Sequence, residues 1–279
     1  MYKSATFVSY LATDDFLPGV LVLHESLRKY HADAPFLLLV SHHVSSETLD
    51  LLDRFYIKVK QVDPIHNPQK IEHDIRRFSL TYTKLRLFDL TEYKKIVYLD
   101  ADMVVCGDIE SLFDQPHMAA VNAGGLLPRN YDWIDLNSGL MVIEPDHKLF
   151  QKMMHAVGML SSKDSSDQGF LHSFFPDWSS QPALHLDHAF NVPAAFIDEY
   201  CDQFNYTLFS ENKISEKQIR IIHYWGPYKP WEYDISIYGG EKFRLAVDIW
   251  WQHYETALER LDKGIIHMKL HRSRQYNKL

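Results

Sequence analysis

The sequence predicts an α/β fold: a mostly parallel, Rossmann-like sheet flanked by helices. Three observations predict it. Strand-like and helix-like stretches alternate through the first 160 residues, the pattern of parallel strands joined by crossover helices. The run "PFLLLV" (35–40) is continuously apolar, as strands buried on both faces are. Two early strands and a later one stop at polar clusters, "TDD" (13–15), "SHH" (41–43) and "DAD" (100–102), and sheets of this kind hold ligands beyond the carboxyl ends of their strands.

The elements follow in order. "ATFVSYLA" (5–12) reads as the first strand. Pro18 opens a helix, "PGVLVLHESLRKY", with Val20, Leu23 and Leu27 at helical spacing. After the strand at 35–40, Ser46 with Glu47 opens a second helix, and "YIKVKQV" (56–62) alternates like a strand. "SLTYTKLRLFDL" (79–90) reads as helical and "KIVYL" (95–99) as the next strand. "GLMVIEP" (139–145) and a helix from about Asp146 to Leu160 follow. The pattern loosens from about residue 176, then a short apolar strand ends at His223 and a long helix covers 241–261. The expected organisation is one domain over 1–262, followed by a basic tail over 263–279 that carries Lys269, Arg272, Arg274 and Lys278 and is expected to be solvated.

Composition narrows the function. With 46% hydrophobic and 24% charged residues, the 279-residue chain can bury a sizeable core. A net charge of −8 argues against nucleic acid as a partner, because phosphate binding wants a basic field. Two cysteines, Cys106 and Cys201, are too few for a disulfide framework or a zinc cluster. The N-terminal residues lack the apolar length of a secretory signal, and no run approaches a membrane helix, so the expectation is a cytoplasmic protein without a transmembrane segment.

The strand at 95–99 runs straight into Asp100 and Asp102. In extended backbone residues i and i+2 share a face, so the two carboxylates converge on an oxygen-rich site for a hard divalent cation, which can bridge to phosphate. The bland alternative is a cap on the turn into "GDIESLF". A calcium loop fails, because positions 104 and 105 are both valine. A D-x-D phosphatase fits "DADMV" loosely, although about 95 residues of α/β pattern precede it. A nucleotide-sugar transferase is the third reading. "IRIIHYWGPYKPWEY" (219–233) favours it: His223 suits a metal, Gly226 lets backbone approach a diphosphate, and Lys229 is a point cation for phosphate.

Taken in order, "FVSYLATDDFLPGVLVLHESLR", "YTKLRLFDLTEYKKIVYLDADMVV", "DIESLFD", "NSGLMVIEP", "SSDQGFLHSFF" and "HYWGPYKPW" resemble glycosyltransferase family 8, specifically its glycogenin and galactinol synthase branch. The late "VDIWWQHYE" is similar to galactinol synthases. The resemblance implies a GT-A fold and a retaining transfer of glucose or galactose from a UDP-sugar. It implies Mn2+, with Mg2+ as the other option, on Asp100, Asp102 and His223. It places Lys84 against donor sugar or phosphate, with Ala101 between the aspartates also at the donor. Asn137 and Ser138 would line the sugar pocket, and Asp164, Asp167 and Gln168 would surround the transferred sugar in the catalytic group. Gly226 and Lys229 would hold the diphosphate, and Tyr10, Ala12, Thr13 and Phe16 the uracil and ribose. The acceptor tyrosine of glycogenins is not matched: Asp198 stands at its place, with Tyr200 out of register. The implied acceptor is therefore a diffusible polyol or saccharide. Homodimers, as in glycogenins, are the oligomer the resemblance implies. A non-catalytic UDP-sugar-binding protein on the same fold is the alternative from another class.

Some of these residues have structural readings too. Asp164 and Asp167 suit a helix N-terminus, Asn137 a turn, and Lys84 a solvated helix face. Trp225 could stack on sugar, whereas Trp231 is expected to pack. Trp250 and Trp251 point to different helix faces.

Overall fold

A computed structural model describes residues 4–68, 80–125, 127–208, 217–226, 229–232 and 239–261. The expected basic tail at 263–279 lies outside the described residues. The chain divides into two compact units. The first comprises Met1–Asp14, Ala34–Asp100 and Glu110–His188; the second comprises Asp15–Asp33, Ala101–Ile109 and Ala189–Leu279.

The first unit is built on a five-stranded sheet. Its strands are β1 (Ala5–Leu11), β2 (Phe36–Val40), β3 (Lys58–Gln61), β4 (Lys95–Leu99) and β6 (Leu140–Ile143), in the order β3-β2-β1-β4-β6. Three of the four pairings are parallel, and β6 joins β4 antiparallel at the edge. The two-residue period of a strand sets the core. Val8 and Tyr10, Leu37 and Leu39, Ile96 and Tyr98, and Met141 and Ile143 belong to one buried cluster. Phe150, Met153 and Val157 of helix α3 (His147–Val157) and Phe170 and Leu171 of helix α4 (Asp167–Phe174) complete it. Helix α2 (Ser46–Arg54) is capped by Ser45, whose Oγ accepts the Thr48 N–H at 3.2 Å. Asp146 caps α3 by accepting the Leu149 N–H at 2.7 Å.

One helix differs in kind from its expectation. Residues Thr81–Asp89 form a 3₁₀ helix. Its buried Tyr82, Leu85 and Phe88 recur every three residues, and side chains at i and i+3 eclipse in a 3₁₀ turn. Burial of that row on the cluster suits the tighter winding. Helix α3 is also shorter than expected, stopping before Gly158.

The second unit holds helix α1 (Leu17–Tyr30), strands β5 (Met103–Val105), β7 (Val192–Pro193) and β8 (Ile221–His223), and helices α5 (Ile197–Phe204) and α6 (Glu241–Glu259). Its small sheet runs β5-β8-β7, with β5 antiparallel and β7 parallel to β8. Helices α1 and α6 pack together. A Cβ on Gly19 of α1 would collide with the Ala101 carbonyl oxygen, so this position takes glycine. Trp250 stacks between Trp231, 5.5 Å away, and Tyr254, 5.3 Å away, while Trp251 is only half-buried. Both tryptophan expectations are met. Strands β5 and β7 and helix α5 are short pieces that no long periodic pattern announces.

No helix among the described residues is long and apolar enough to cross a membrane. Cys106 and Cys201 are both free and buried.

Candidate active site

In the first unit the site grows from the end of β4. The Asp100 N–H donates to the Gly139 carbonyl at 2.8 Å, which ties the strand end to β6. The Asp100 carboxylate accepts the Tyr98 hydroxyl and meets Lys84 Nζ at 2.8 Å. Lys84 comes from the 3₁₀ helix, is buried, and lies 5.4 Å from the Tyr98 ring centroid. Its ammonium also faces Asp167 Oδ2 at 3.4 Å, an electrostatic contact too long for a good hydrogen bond.

Asp167 opens α4. Ser166 caps that helix, its Oγ accepting the N–H of Gln168 at 3.2 Å, and the Asp167 N–H donates to Thr81 Oγ1 at 3.2 Å. The side chain is buried, and burial raises its pKa; Lys84 opposes the rise and Asp100 adds to it. Gln168 Oε1 accepts the Ser138 N–H at 3.1 Å. Lys84, Asp100, Ser138, Asp167 and Gln168 are thus brought together. Tyr10 stands near Lys84 and Thr83, and burial pushes its phenol pKa up.

Other expected residues of this unit are tied up in backbone work. Asp164 is exposed, and its Oδ1 accepts the Ser166 N–H at 3.0 Å and the Ser162 hydroxyl at 2.9 Å, knitting the turn before α4. Asn137 Oδ1 accepts the Gly139 N–H at 2.9 Å, shaping the entry to β6. Ala12 lends its carbonyl to the Ser41 hydroxyl, and Thr13 beside it is half-buried.

In the second unit the centre is Asp102. The pairing of β5 with β8 sets Met103 opposite His223, and the Tyr224 N–H donates to the Asp102 carbonyl at 2.9 Å. Lys229 Nζ donates to Asp102 Oδ2 and, at 2.8 Å, to the Tyr224 carbonyl. His223 Nε2 lies 3.2 Å from Asp102 Oδ1. Burial works against an ionised Asp102, yet Lys229 and His223 overcome it and hold the carboxyl well below the usual carboxylate range. His223 Nδ1 lies 3.0 Å from Asn191 Oδ1. A Nδ1–H donated to that oxygen leaves the Nε2 lone pair aimed at the carboxylate. Two electron-rich groups so placed call for a proton or a cation between them.

Lys229 also lies 5.4 Å from the Phe16 ring centroid, and Phe16 packs edge-on to Trp231 at 5.5 Å. Gly226 has φ +100, in the left-handed region that favours glycine. Ala101 is buried between the two aspartates.

Sequence reasoning missed three contributors. Tyr98 is legible afterwards, since it precedes Asp100 by two residues on one strand. Thr81 and Asn191 act across 86 and 32 residues of chain, and no local pattern marks them.

The family described as Glycosyl transferase family 8 matches residues 7–235. The chain belongs to glycosyltransferase family 8. It is 35% identical over 242 residues to inositol phosphorylceramide glucuronosyltransferase 1 of Arabidopsis thaliana, covering 83% of this chain and 43% of that protein. It is 28% identical over 232 residues to human glycogenin-1, covering 81% and 62%. This family 8 chain therefore spans about half the length of the curated relatives it matches. The solved galactosyltransferase LgtC, in complex with donor and acceptor sugar analogues, superposes with a TM-score of 0.58 at 19% identity, covering 87% of this chain and 95% of that one. That likeness gives the fold: this family 8 chain has the GT-A architecture expected of it.

Proposed function

We propose that the chain is a divalent-metal-dependent, retaining glycosyltransferase that moves a hexose, glucose or galactose, from a UDP-sugar to a hydroxyl acceptor. The observation that carries the reading is the Asp102–His223–Asn191 relay. An imidazole held at Nδ1 by an amide oxygen, with Nε2 turned to a carboxylate, is the arrangement in which histidine ligates a metal. Asp100, one residue before Asp102 in the chain, would add a second carboxylate, and two carboxylates with one imidazole are a donor set that suits Mn2+ or Mg2+. When bound, the ion supplies Lewis-acid neutralisation of the charge that builds on the UDP leaving group.

The chain's own residues do the rest. Lys229 would turn from Asp102 to the diphosphate, and Lys84 would hold a second fixed positive charge near the transferred sugar. Gly226 would let backbone approach the diphosphate, and Tyr10, Ala12, Thr13 and Phe16 would receive uracil and ribose. Ser138, Asp167 and Gln168 would line the hexose, with Asn137 and Asp164 shaping the turns that present them. The candidate nucleophiles are Asp167 and Gln168; Gln168 is a neutral amide and a poor nucleophile, Asp167 is engaged by Lys84, and same-face attack is the favoured route over a covalent intermediate. The bond from the anomeric carbon to the phosphate oxygen breaks as the acceptor oxygen bonds on the same face. The acceptor's proton passes to the leaving phosphate oxygen.

A diffusible acceptor is supported by burial. Tyr200 is 2% exposed, and Asp198 packs against Gly240 and accepts the Lys242 N–H at 3.4 Å. Neither offers a hydroxyl for self-glycosylation. A second reading, with UDP-glucuronate as donor, is favoured by the likeness to the Arabidopsis glucuronosyltransferase.

UDP release with Mn2+ from UDP-glucose, UDP-galactose and UDP-glucuronate, beside the Asp102→Asn variant, tests both. Release from one donor, lost in the variant and on chelation, is expected. Absence of metal-dependent UDP binding in titrations would sink the reading.

A further inference from the structure

Tyr98 precedes Asp100 by two residues and so shares its face of β4. That strand lies between β1 and β6, with Tyr98 opposite Val8 on one side and Met141 on the other, and the ring is buried in the apolar cluster of the first unit. Its hydroxyl nonetheless reaches a charged partner, donating to Asp100 Oδ1. The same oxygen meets Lys84 Nζ at 2.8 Å, and that ammonium stands 5.4 Å from the Tyr98 ring centroid. Tyr98 therefore touches both members of the ion pair, the carboxylate through its hydroxyl and the ammonium through its ring. The packing and the ring contact need only an aromatic residue. The hydroxyl is a polar group that burial penalises unless it is bonded, and the proposed donor contacts give it no part.

A carboxylate oxygen has two lone-pair sites. On Oδ1 the phenol and the ammonium take them, so Asp100 offers a cation one oxygen rather than a chelating pair. Ions differ in how much that matters. Ca2+ collects about six to eight oxygens and takes carboxylates bidentate as well as singly, whereas Mg2+ is smaller and demands near-ideal octahedral geometry. Mn2+ accepts the octahedral arrangement too. We propose that Tyr98 is a positioning residue that fixes Asp100 through Oδ1, bars it from chelation, and so selects Mn2+ and Mg2+ against Ca2+. Its part in metal choice rests on the metal-dependent reading above.

The test is an EPR titration of Mn2+ into the protein with UDP, reading the loss of the free-ion signal, with Ca2+ and Mg2+ as competitors. In Tyr98→Phe the preference for Mn2+ over Ca2+ should fall about tenfold, because the loosened carboxylate holds Mn2+ less well and gains an oxygen for Ca2+. The preference between Mn2+ and Mg2+ should hardly move. An unchanged Mn2+ to Ca2+ preference, or an equal loss of all three ions, would overturn the assignment; a merely structural tyrosine gives one of these. The wild type is a second test, independent of the variant's folding: Ca2+ that displaces Mn2+ at equal concentration would also overturn it. Absence of bound Mn2+ in the wild type removes the metal-dependent reading and this one with it. Mn2+ binding with a preference that ignores Tyr98 removes only this one.

Discussion

The two units solve the same electrostatic problem with opposite balances. In the first, one ammonium, Lys84, serves two carboxylates, Asp100 and Asp167. In the second, one carboxylate, Asp102, serves an ammonium and an imidazole. The first cluster is short of positive charge, and burial raises the pKa of Asp167 there. In the second the carboxyl is held low despite burial, by the ammonium and the imidazole beside it.

The largest test of that contrast removes the lone cation. Lys84→Met takes the ammonium from buried Asp167 and half-buried Asp100, and urea unfolding should show a loss of about 3–5 kcal/mol. Adding Asp167→Asn should recover much of it; no recovery would mean that Lys84 serves packing rather than charge.

Acid should weaken the second unit next. His24 of α1 and His253 of α6 are buried, and burial brings each pKa down to about 4. Unfolded histidine titrates near 6.5, so the neutral native form contributes its full stability above that pH and loses it as pH falls from about 6.5 towards 4. Each can account for at most about 3 kcal/mol. Denaturation curves across that window should flatten in His24→Gln and His253→Gln.

Asn191→Ala should weaken Mn2+-dependent UDP binding by about 10–100-fold with little change in melting temperature, because Asn191 positions His223 rather than the fold. An equal fall in melting temperature would make it a structural residue.

The smallest effect has the most informative sign. The raised pKa of Asp167 means that its ionised form weakens the native state as pH rises above the unfolded value near 4. Asp167→Asn should therefore stabilise at pH 7 and not at pH 3, read from unfolding curves at the two pH values. Asp102, held low, contributes stability above pH 4 that is lost as pH falls below it. Asp102→Asn should destabilise at pH 7 and approach wild type in acid. Turnover should fall in both variants, separating stability from catalysis.

Much of this was legible in the residues alone. Long apolar or periodic runs announced β1, β2, β4, α1 and α6, because burying a strand or a helix face imposes a local period. The D-x-D step at a strand end and the spacing from His223 to Lys229 marked the residues to which the proposed chemistry is assigned, since each places its polar groups within a few residues. Other features had no local signature. The 3₁₀ form of 81–89 was decided by the cluster its every-third-residue row packs on. The short strands β5 and β7 exist because β8 pairs with them. Lys84 meets Asp167 across 83 positions, and Asn191 meets His223 across 32. Local sequence determines which groups a segment can bury or expose; which distant partner neutralises a buried charge is decided only when the tertiary structure closes around it, because desolvation and Coulomb attraction act through space and not along the chain.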